Sequence, residues 1–134
     1  MSKFAAKALV IGLLTLGAEG AVQANDDALE RRGKRVFLKC RACHSIAPGA
    51  PHKVGPNLSG FYAQPMASRA GFTYSSALSM QQSYWTAVEI DAFLTAPAAY
   101  APGTTMAFTG LNRAEDRAAV IAYLKDVTTI LRQP

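Results

Sequence analysis

Both cysteines and one of the two histidines of this 134-residue chain fall together in Cys40-Arg41-Ala42-Cys43-His44. Three chemistries use such a set. A catalytic disulfide places Cys-x-x-Cys at a helix N-terminus in a βαβ setting, where the dipole lowers the first thiol's pKa. Here the helical pattern precedes the motif and no strand pattern flanks it. A structural zinc site needs four Cys/His ligands. His52 would complete the number, but adjacent Cys43 and His44 have difficulty meeting one tetrahedral ion. Covalent haem uses all five positions, because two thioethers fix the macrocycle to the backbone and the following imidazole turns to the iron as proximal ligand. The spacing favours this third chemistry.

A haem iron has a second axial position, and its ligand has to come from elsewhere in the chain. The side chains to weigh are Met66, Met80, Met106 and His52. Met106 ends Ala101-Pro102-Gly103-Thr104-Thr105-Met106, where Pro and Gly force a tight loop that turns a thioether inward. Met66 and Met80 lack such a device and read as packing or surface. His52 lies too near His44 in sequence to reach the other face of the same haem easily. Met106 is the preferred ligand.

The elements that must position these groups read as helices. Asp27 with Glu30 forms a capping-box-like start, followed by Leu29, Gly33, Val36, Phe37 and Cys40 at helical spacing. A short helix is expected over 75–80. Thr86 and Glu89 cap another, carrying Val88, Ile90, Phe93 and Leu94 until Pro97 stops it. Asn112 with Glu115 opens the last, with Val120, Leu124, Val127 and Leu131 in one stripe. Between Ile46 and Pro65 the chain is rich in Pro, Gly and Ala and reads as loop. The pattern is all-α with long loops, and loops of that length fit a compact domain when they wrap a bound group that fills the interior.

Upstream, Lys3 and Lys7 precede an apolar run from Ala8 to Gly17 and a small-residue pattern at Val22-Gln23-Ala24, the signature of a secretory signal peptide over 1–24. The run is too short to span a bilayer comfortably, so the expectation is an exported protein with no membrane anchor and a single domain over 25–134. The formal net charge is +5. Between 31 and 53 the chain carries Arg31, Arg32, Lys34, Arg35, Lys39, Arg41 and Lys53 without an acidic residue. Such a segment either steers acidic protein partners or is a solvated basic face. No interleaved aromatic-basic groove marks a nucleic-acid surface.

Taken together, Gly33-Lys34-Arg35-Val36-Phe37, Cys40 to His44, Gly55-Pro56-Asn57-Leu58, Gly71-Phe72-Thr73-Tyr74, Trp85, Tyr100 to Met106 and Ile121-Ala122-Tyr123-Leu124-Lys125 resemble the class I c-type cytochromes, both mitochondrial and bacterial periplasmic. The resemblance covers nearly all of 25–134. It implies the all-α cytochrome c fold: about three main helices plus short helices and long loops around one haem c, bound through Cys40 and Cys43, with His44 and Met106 as metal ligands. Carried over residue by residue, it implies that the Pro56 carbonyl orients His44. Tyr74, Ser75, Trp85 and Thr104 then hydrogen-bond the haem propionates, His52 ties two loops, and Gly33 and Phe37 meet the last helix at Val120 and Tyr123. Three positions depart from the pattern. Gln64 stands where an arginine usually lies near a propionate, Leu78 where an asparagine usually lies beside a buried water, and Phe93 where a tyrosine usually reaches the methionine sulfur. Ala98, Ala99 and Thr105 replace lysines that usually ring the haem edge.

The implied function is a monomeric periplasmic electron carrier between a redox protein donor and an acceptor, such as a membrane oxidase, reductase or reaction centre. The alternative is a dedicated electron-accepting subunit of a periplasmic dehydrogenase. No distal acid-base pair supports an enzyme.

Overall fold

A computed structural model describes residues 17–130, so the apolar run of the expected leader lies outside the described residues up to Leu16. Five helices follow in order: α1 (Gly17–Phe37), α2 (Ser76–Ser79), α3 (Ala87–Thr95), α4 (Pro97–Tyr100) and α5 (Ala114–Ile130). Three are long enough to build a frame and two are single turns. No strand forms among the described residues; one isolated bridge joins Pro65 to Tyr84. The architecture is all-α, as expected.

Two helix starts differ from the sequence reading. The first helix does not begin at Asp27 but already runs from Gly17. Residues 18–26 hold no proline and include Ala, Glu and Gln, good helix formers that let the helix pass through the Asp27–Glu30 pattern. At the other end α5 begins at Ala114, and the amides of Asp116 and Arg117 reach the Arg113 carbonyl at 3.1 and 3.2 Å. The start therefore lies one residue beyond Asn112. The Arg113 side chain holds Glu115 in the first turn through Nε and Nη2 at 2.9 and 2.6 Å.

The frame is the crossing of α1 and α5. Gly33, Val36 and Phe37 form the buried face of α1, at the spacing that puts residues on one side of a helix. Gly33 is required by contact. A β-carbon there would lie 2.2 Å from the Ala119 carbonyl oxygen and 2.6 Å from Tyr123 Cβ. One turn along, the Phe37 and Tyr123 rings pack with centroids 5.6 Å apart, a contact worth about 0.5–1.5 kcal/mol beyond its burial. Arg32 adds a polar tie, its Nε 2.7 Å from an Asp116 carboxylate oxygen.

Helix α3 starts as expected, with Thr86 Oγ1 accepting from the Glu89 amide at 3.3 Å. Its face of Ile90, Phe93 and Leu94 is buried. Pro97 ends it and opens α4, where a missing N–H costs nothing. Arg117 on α5 then fastens α3, donating to Asp91 at 2.8 Å and to the Leu111 carbonyl at 2.8 Å. Leu111 in turn donates its amide to the Leu94 carbonyl at 2.7 Å.

The long loop between α1 and α2 is organised around Asn57, a buried polar side chain. Its amide nitrogen donates to the Ala47 and Ala50 carbonyls at 2.8 and 2.7 Å, and its Oδ1 accepts from the Ser59 amide at 2.7 Å. His52 ties two stretches as the resemblance implies. Its Nδ1 accepts from the Asn57 amide at 2.9 Å, which leaves Nε2 to donate to the Ala70 carbonyl at 3.0 Å. A buried side-chain amide thus does for the loop what ladders do for a sheet.

Candidate functional site

Helical turns continue from α1 into the cysteine motif. The Cys40 amide donates to the Phe37 carbonyl at 2.8 Å, and the amides of Cys43 and His44 both reach the Cys40 carbonyl, at 3.0 and 2.9 Å. Residues three apart on such turns share a side, so Cys40 and Cys43 both reach the wall of one cavity, and the His44 ring joins them. The cavity holds about 490 Å³, within the roughly 300–1,000 Å³ of cofactor sites. Its floor is apolar, built by Leu58 and Phe61 of the loop, Ile90 and Leu94 of α3, and Val120 and Leu124 of α5. Helices α3 and α5 therefore serve twice, since Ile90, Leu94, Val120 and Leu124 belong both to the packed core and to the cavity wall.

The His44 ring is held twice. Its Nδ1 lies 2.7 Å from the Pro56 carbonyl oxygen; a carbonyl only accepts, so Nδ1 carries the proton and Nε2 keeps its lone pair. Behind the ring, Gly55 leaves no space for anything larger than hydrogen, since a β-carbon there would lie 2.3 Å from His44 Cε1. Burial pushes the imidazole pKa down, Lys53 adds to that, and the Pro56 hydrogen bond opposes both without reversing them. The neutral, ligating form is thus the one the site favours. Burial likewise pushes the Cys40 thiol up, against the pull of Lys39.

Met106 reaches the cavity through a turn that the sequence dictates. The Thr104 amide donates to the Ala101 carbonyl at 2.9 Å, with Pro102 first and Gly103 at φ +94° second in the bend. This is the type II pattern, which needs a positive φ at its second central residue. Thr104 Oγ1 then accepts from the Met106 amide at 3.3 Å. Met106 is the methionine that lines the cavity. Met66 is buried elsewhere, with the Tyr100 hydroxyl 3.8 Å from its sulfur, and Met80 is largely exposed.

The residues expected from sequence to hold the cofactor meet here. Cys40, Cys43, His44, Pro56, Tyr74, Ser75, Trp85, Thr104 and Met106 line one cavity, together with Gln64, Leu78 and Phe93. Ser75 has a second duty that its resemblance did not imply, since its hydroxyl accepts from the Leu78 amide at 3.4 Å and caps α2. Trp85 packs between Phe61 and Phe93, with ring centroids 6.4 and 5.2 Å away. Its position is set by backbone pairing, the Trp85 amide donating to the Gln64 carbonyl at 2.9 Å and its carbonyl accepting from the Ala63 amide at 3.0 Å. His52 does not line the cavity, and among the described residues no three His, Cys, Asp or Glu side chains gather as a metal-binding group. The zinc arrangement of Cys40, Cys43, His44 and His52 is therefore not formed.

Sequence reasoning gave no role to Gly55 and Asn57 beyond their place in a motif, and did not single out Arg69. Gly55 backs the His44 ring, Asn57 gathers the loop, and Arg69 lines the cavity while donating from Nε to the Asn57 carbonyl at 3.0 Å. A basic side chain beside a glycine-rich turn carries no periodic signal, so only packing reveals it. Of the basic run, Arg31, Lys34, Arg35, Lys39, Arg41 and Lys53 are exposed. Among the described residues no helix is long and apolar enough to cross a membrane.

These features fit a covalently held haem. Two thiols and one neutral imidazole with a free Nε2 come from a single turn, a thioether comes from a distant loop, and the remaining wall is apolar. Comparison with known proteins agrees. The Cytochrome c family model matches residues 30–128. Cytochrome c of Ulva intestinalis is 41% identical over 98 residues, covering 72% of this chain and 88% of the relative. Cytochrome c2 of Blastochloris viridis is 39% identical over 117 residues, covering 87% of this chain and 91% of the relative. Among solved structures, cytochrome cH from Methylobacterium extorquens superposes with a TM-score of 0.68 at 30% identity, over 72% of this chain and 97% of that one.

Proposed function

The chain belongs to the cytochrome c family, whose members carry covalently bound haem c, and on that premise we propose that it is an exported one-electron carrier. Residues 1–24 are its signal peptide, residues 25–134 its monohaem domain, and His44 and Met106 its iron ligands, in the periplasm. The observation that carries this reading is the joint one at His44: a ring clamped by the Pro56 carbonyl and Gly55, with Nε2 left free, in the same cavity as Met106.

When bound, the haem supplies a one-electron couple at iron, and a Met/His pair raises its potential. The chain's own residues do the rest. Cys40 and Cys43 anchor the group, Pro56 keeps His44 in one tautomer, and the turn at Pro102-Gly103 holds Met106 in place through both oxidation states. With His44 and Met106 holding the iron, the group would have no position left for a substrate, which suits a carrier rather than an enzyme. Tyr74, Ser75, Trp85 and Thr104, all lining the cavity, would supply hydrogen-bonding groups for the propionates.

Visible spectra of the purified protein in both oxidation states test this reading, with the methionine-to-iron charge-transfer band examined in the ferric form. A coloured protein with that band, lost in Met106→Ala, is the expected result. A colourless protein, or a band that survives in Met106→Ala, overturns it.

One observation favours a narrower role as the dedicated acceptor of a single periplasmic dehydrogenase. Ala98, Ala99 and Thr105 are exposed, so the surface around the Met106 loop offers no cation for general steering at these positions. Association with a redox partner is then less salt-dependent than in lysine-ringed relatives. Stopped-flow electron transfer across ionic strength measures it, and an equally steep fall of rate with salt excludes the idea.

A further inference from the structure

The cavity wall has no acidic side chain among its lining residues, and Arg69 is the guanidinium in it. The position at which relatives keep an arginine near a propionate is Gln64 here, which suggests from sequence alone that the cation is lost. In the folded chain Gln64 and Arg69 line the same cavity. Arg69 is half-buried, and its Nε is spent on the Asn57 carbonyl at 3.0 Å, an anchor that is itself buried at 5% exposure. No carboxylate of the described residues lies within ion-pair distance of Arg69; the arginine ion pairs among the described residues are those of Arg32, Arg113 and Arg117. A guanidinium held this way, half-buried and with no partner for its two terminal nitrogens among the described residues, is stabilised by an anion of planar geometry.

The neighbours agree in sign. Tyr74, which lines the same wall, has its hydroxyl pKa pushed up by burial, against which a hydrogen bond to the Arg69 backbone and then the Arg69 charge both pull. Lys39 is the other cation of the wall, but it is exposed and adjoins Cys40, at the anchoring side of the cavity. Backbone geometry also fixes Arg69 in place, because the Phe72 amide returns to its carbonyl at 3.4 Å across a turn with Gly71 at φ +77°.

We propose that Arg69 is the residue that holds a haem propionate carboxylate in this chain, pairing with it through its terminal nitrogens and supplying from a different loop position the charge that Gln64 does not. This rests on the haem-carrier reading above. Arg69 acts on the iron through the carboxylate and is a positioning residue. A fixed cation beside the haem disfavours the extra positive charge of the ferric state, so its loss lowers the reduction potential.

The test is spectroelectrochemical titration of the holoprotein and of three variants: Arg69→Gln, Arg69→Lys, and Arg69→Gln combined with Gln64→Arg. In Arg69→Gln the oxidised-to-reduced ratio at a fixed solution potential rises by about three- to tenfold, tenfold being about 59 mV for one electron. Arg69→Lys keeps most of the parent's ratio because it keeps the charge, and the double variant recovers most of it because position 64 faces the same cavity. A parent-like ratio in Arg69→Gln overturns the proposal, and so does Arg69→Lys shifting as far as Arg69→Gln, since the anchor on Asn57 rather than the charge would then be responsible. If Arg69→Gln does not accumulate, the Arg69→Lys and double variants decide the matter by retaining or losing the parent ratio. A coloured, redox-active parent with insensitive variants removes this inference alone; a parent without haem removes the reading beneath it.

Discussion

Gly55→Ala adds one methyl group behind the His44 ring, and its effect can be worked from distances. The new carbon would start 2.3 Å from His44 Cε1, 2.7 Å from Nε2 and 2.8 Å from Nδ1, where ordinary contact begins at 3.4 Å. The backbone at Gly55 is not in the left-handed region, so alanine meets no conformational penalty and the whole effect falls on the ring. The ring has to recede by roughly 1 Å to reach van der Waals contact. If it stays, overpacking costs about 1–3 kcal/mol. If it swings away, the 2.7 Å bond from Nδ1 to the half-buried Pro56 carbonyl breaks, and a carbonyl left unpaired costs up to about 1–3 kcal/mol. Either route moves Nε2, the atom proposed above to meet the iron. Guanidinium unfolding followed by far-ultraviolet circular dichroism should show a loss of about 1–3 kcal/mol, and the ferric visible spectrum should change with it. Pro56→Ala is the matched contrast, because it keeps the carbonyl and should leave the spectrum close to the parent's. A Gly55→Ala protein with parent-like stability and spectrum would refute the reasoning.

Phe93 is buried against Trp85 and Tyr100 and lines the cavity. If Met106 is the ligand proposed above, Phe93→Tyr introduces a hydroxyl that can donate to its sulfur, draws electron density from it and raises the reduction potential; cyclic voltammetry with an unchanged or lowered value would discard this. Glu115 is held at about 2 by its own backbone amide first and then by Arg113. Its folded pKa lies below the unfolded value of 4.5, so its contribution is present above about 4.5 and fades as pH falls toward 2. Acid unfolding of Glu115→Gln should therefore lose part of that slope, and identical acid titrations of variant and parent would contradict the assignment. Tyr100 is pushed up to about 12 by burial first and by its hydrogen bond to the Glu89 carboxylate. A raised value favours the neutral phenol in the folded state, so stability is full below pH 10 and declines as pH rises from 10 toward 12. Tyr100→Phe should flatten that alkaline decline in denaturant titrations at pH 9 to 12; an equally steep decline would assign it to another group.

The parts of the fold legible in sequence are those with a local cause. Thr86 and Pro97 bracket α3 because a hydroxyl acceptor and a missing amide act within one turn. The Met106 turn was readable because only Gly accepts φ +94° after Pro102. Cys40, Cys43 and His44 were readable because their chemistry demands adjacency. The start of α1 was misplaced because a capping box is a preference worth about 1 kcal/mol, and a run of helix formers on its N-terminal side overrides it. Asn57 and Arg69 could be assigned only from the folded chain. Their roles consist of bonds to carbonyls at positions 47, 50 and 57 in a stretch without period, and nothing local separates them from any other loop asparagine or arginine.

The close approach of Gly33 to Ala119 has a consequence for how the chain comes into being. A polypeptide made from its N-terminus displays Val36 and Phe37 with nothing to cover them until the segment around residue 120 has been synthesised. The clasp that closes the molecule joins nearly its two extremes, so an incomplete chain cannot lock. Beside that contact the Cys40 thiol and the His44 imidazole end half-buried, while the Cys43 thiol remains exposed in the finished molecule.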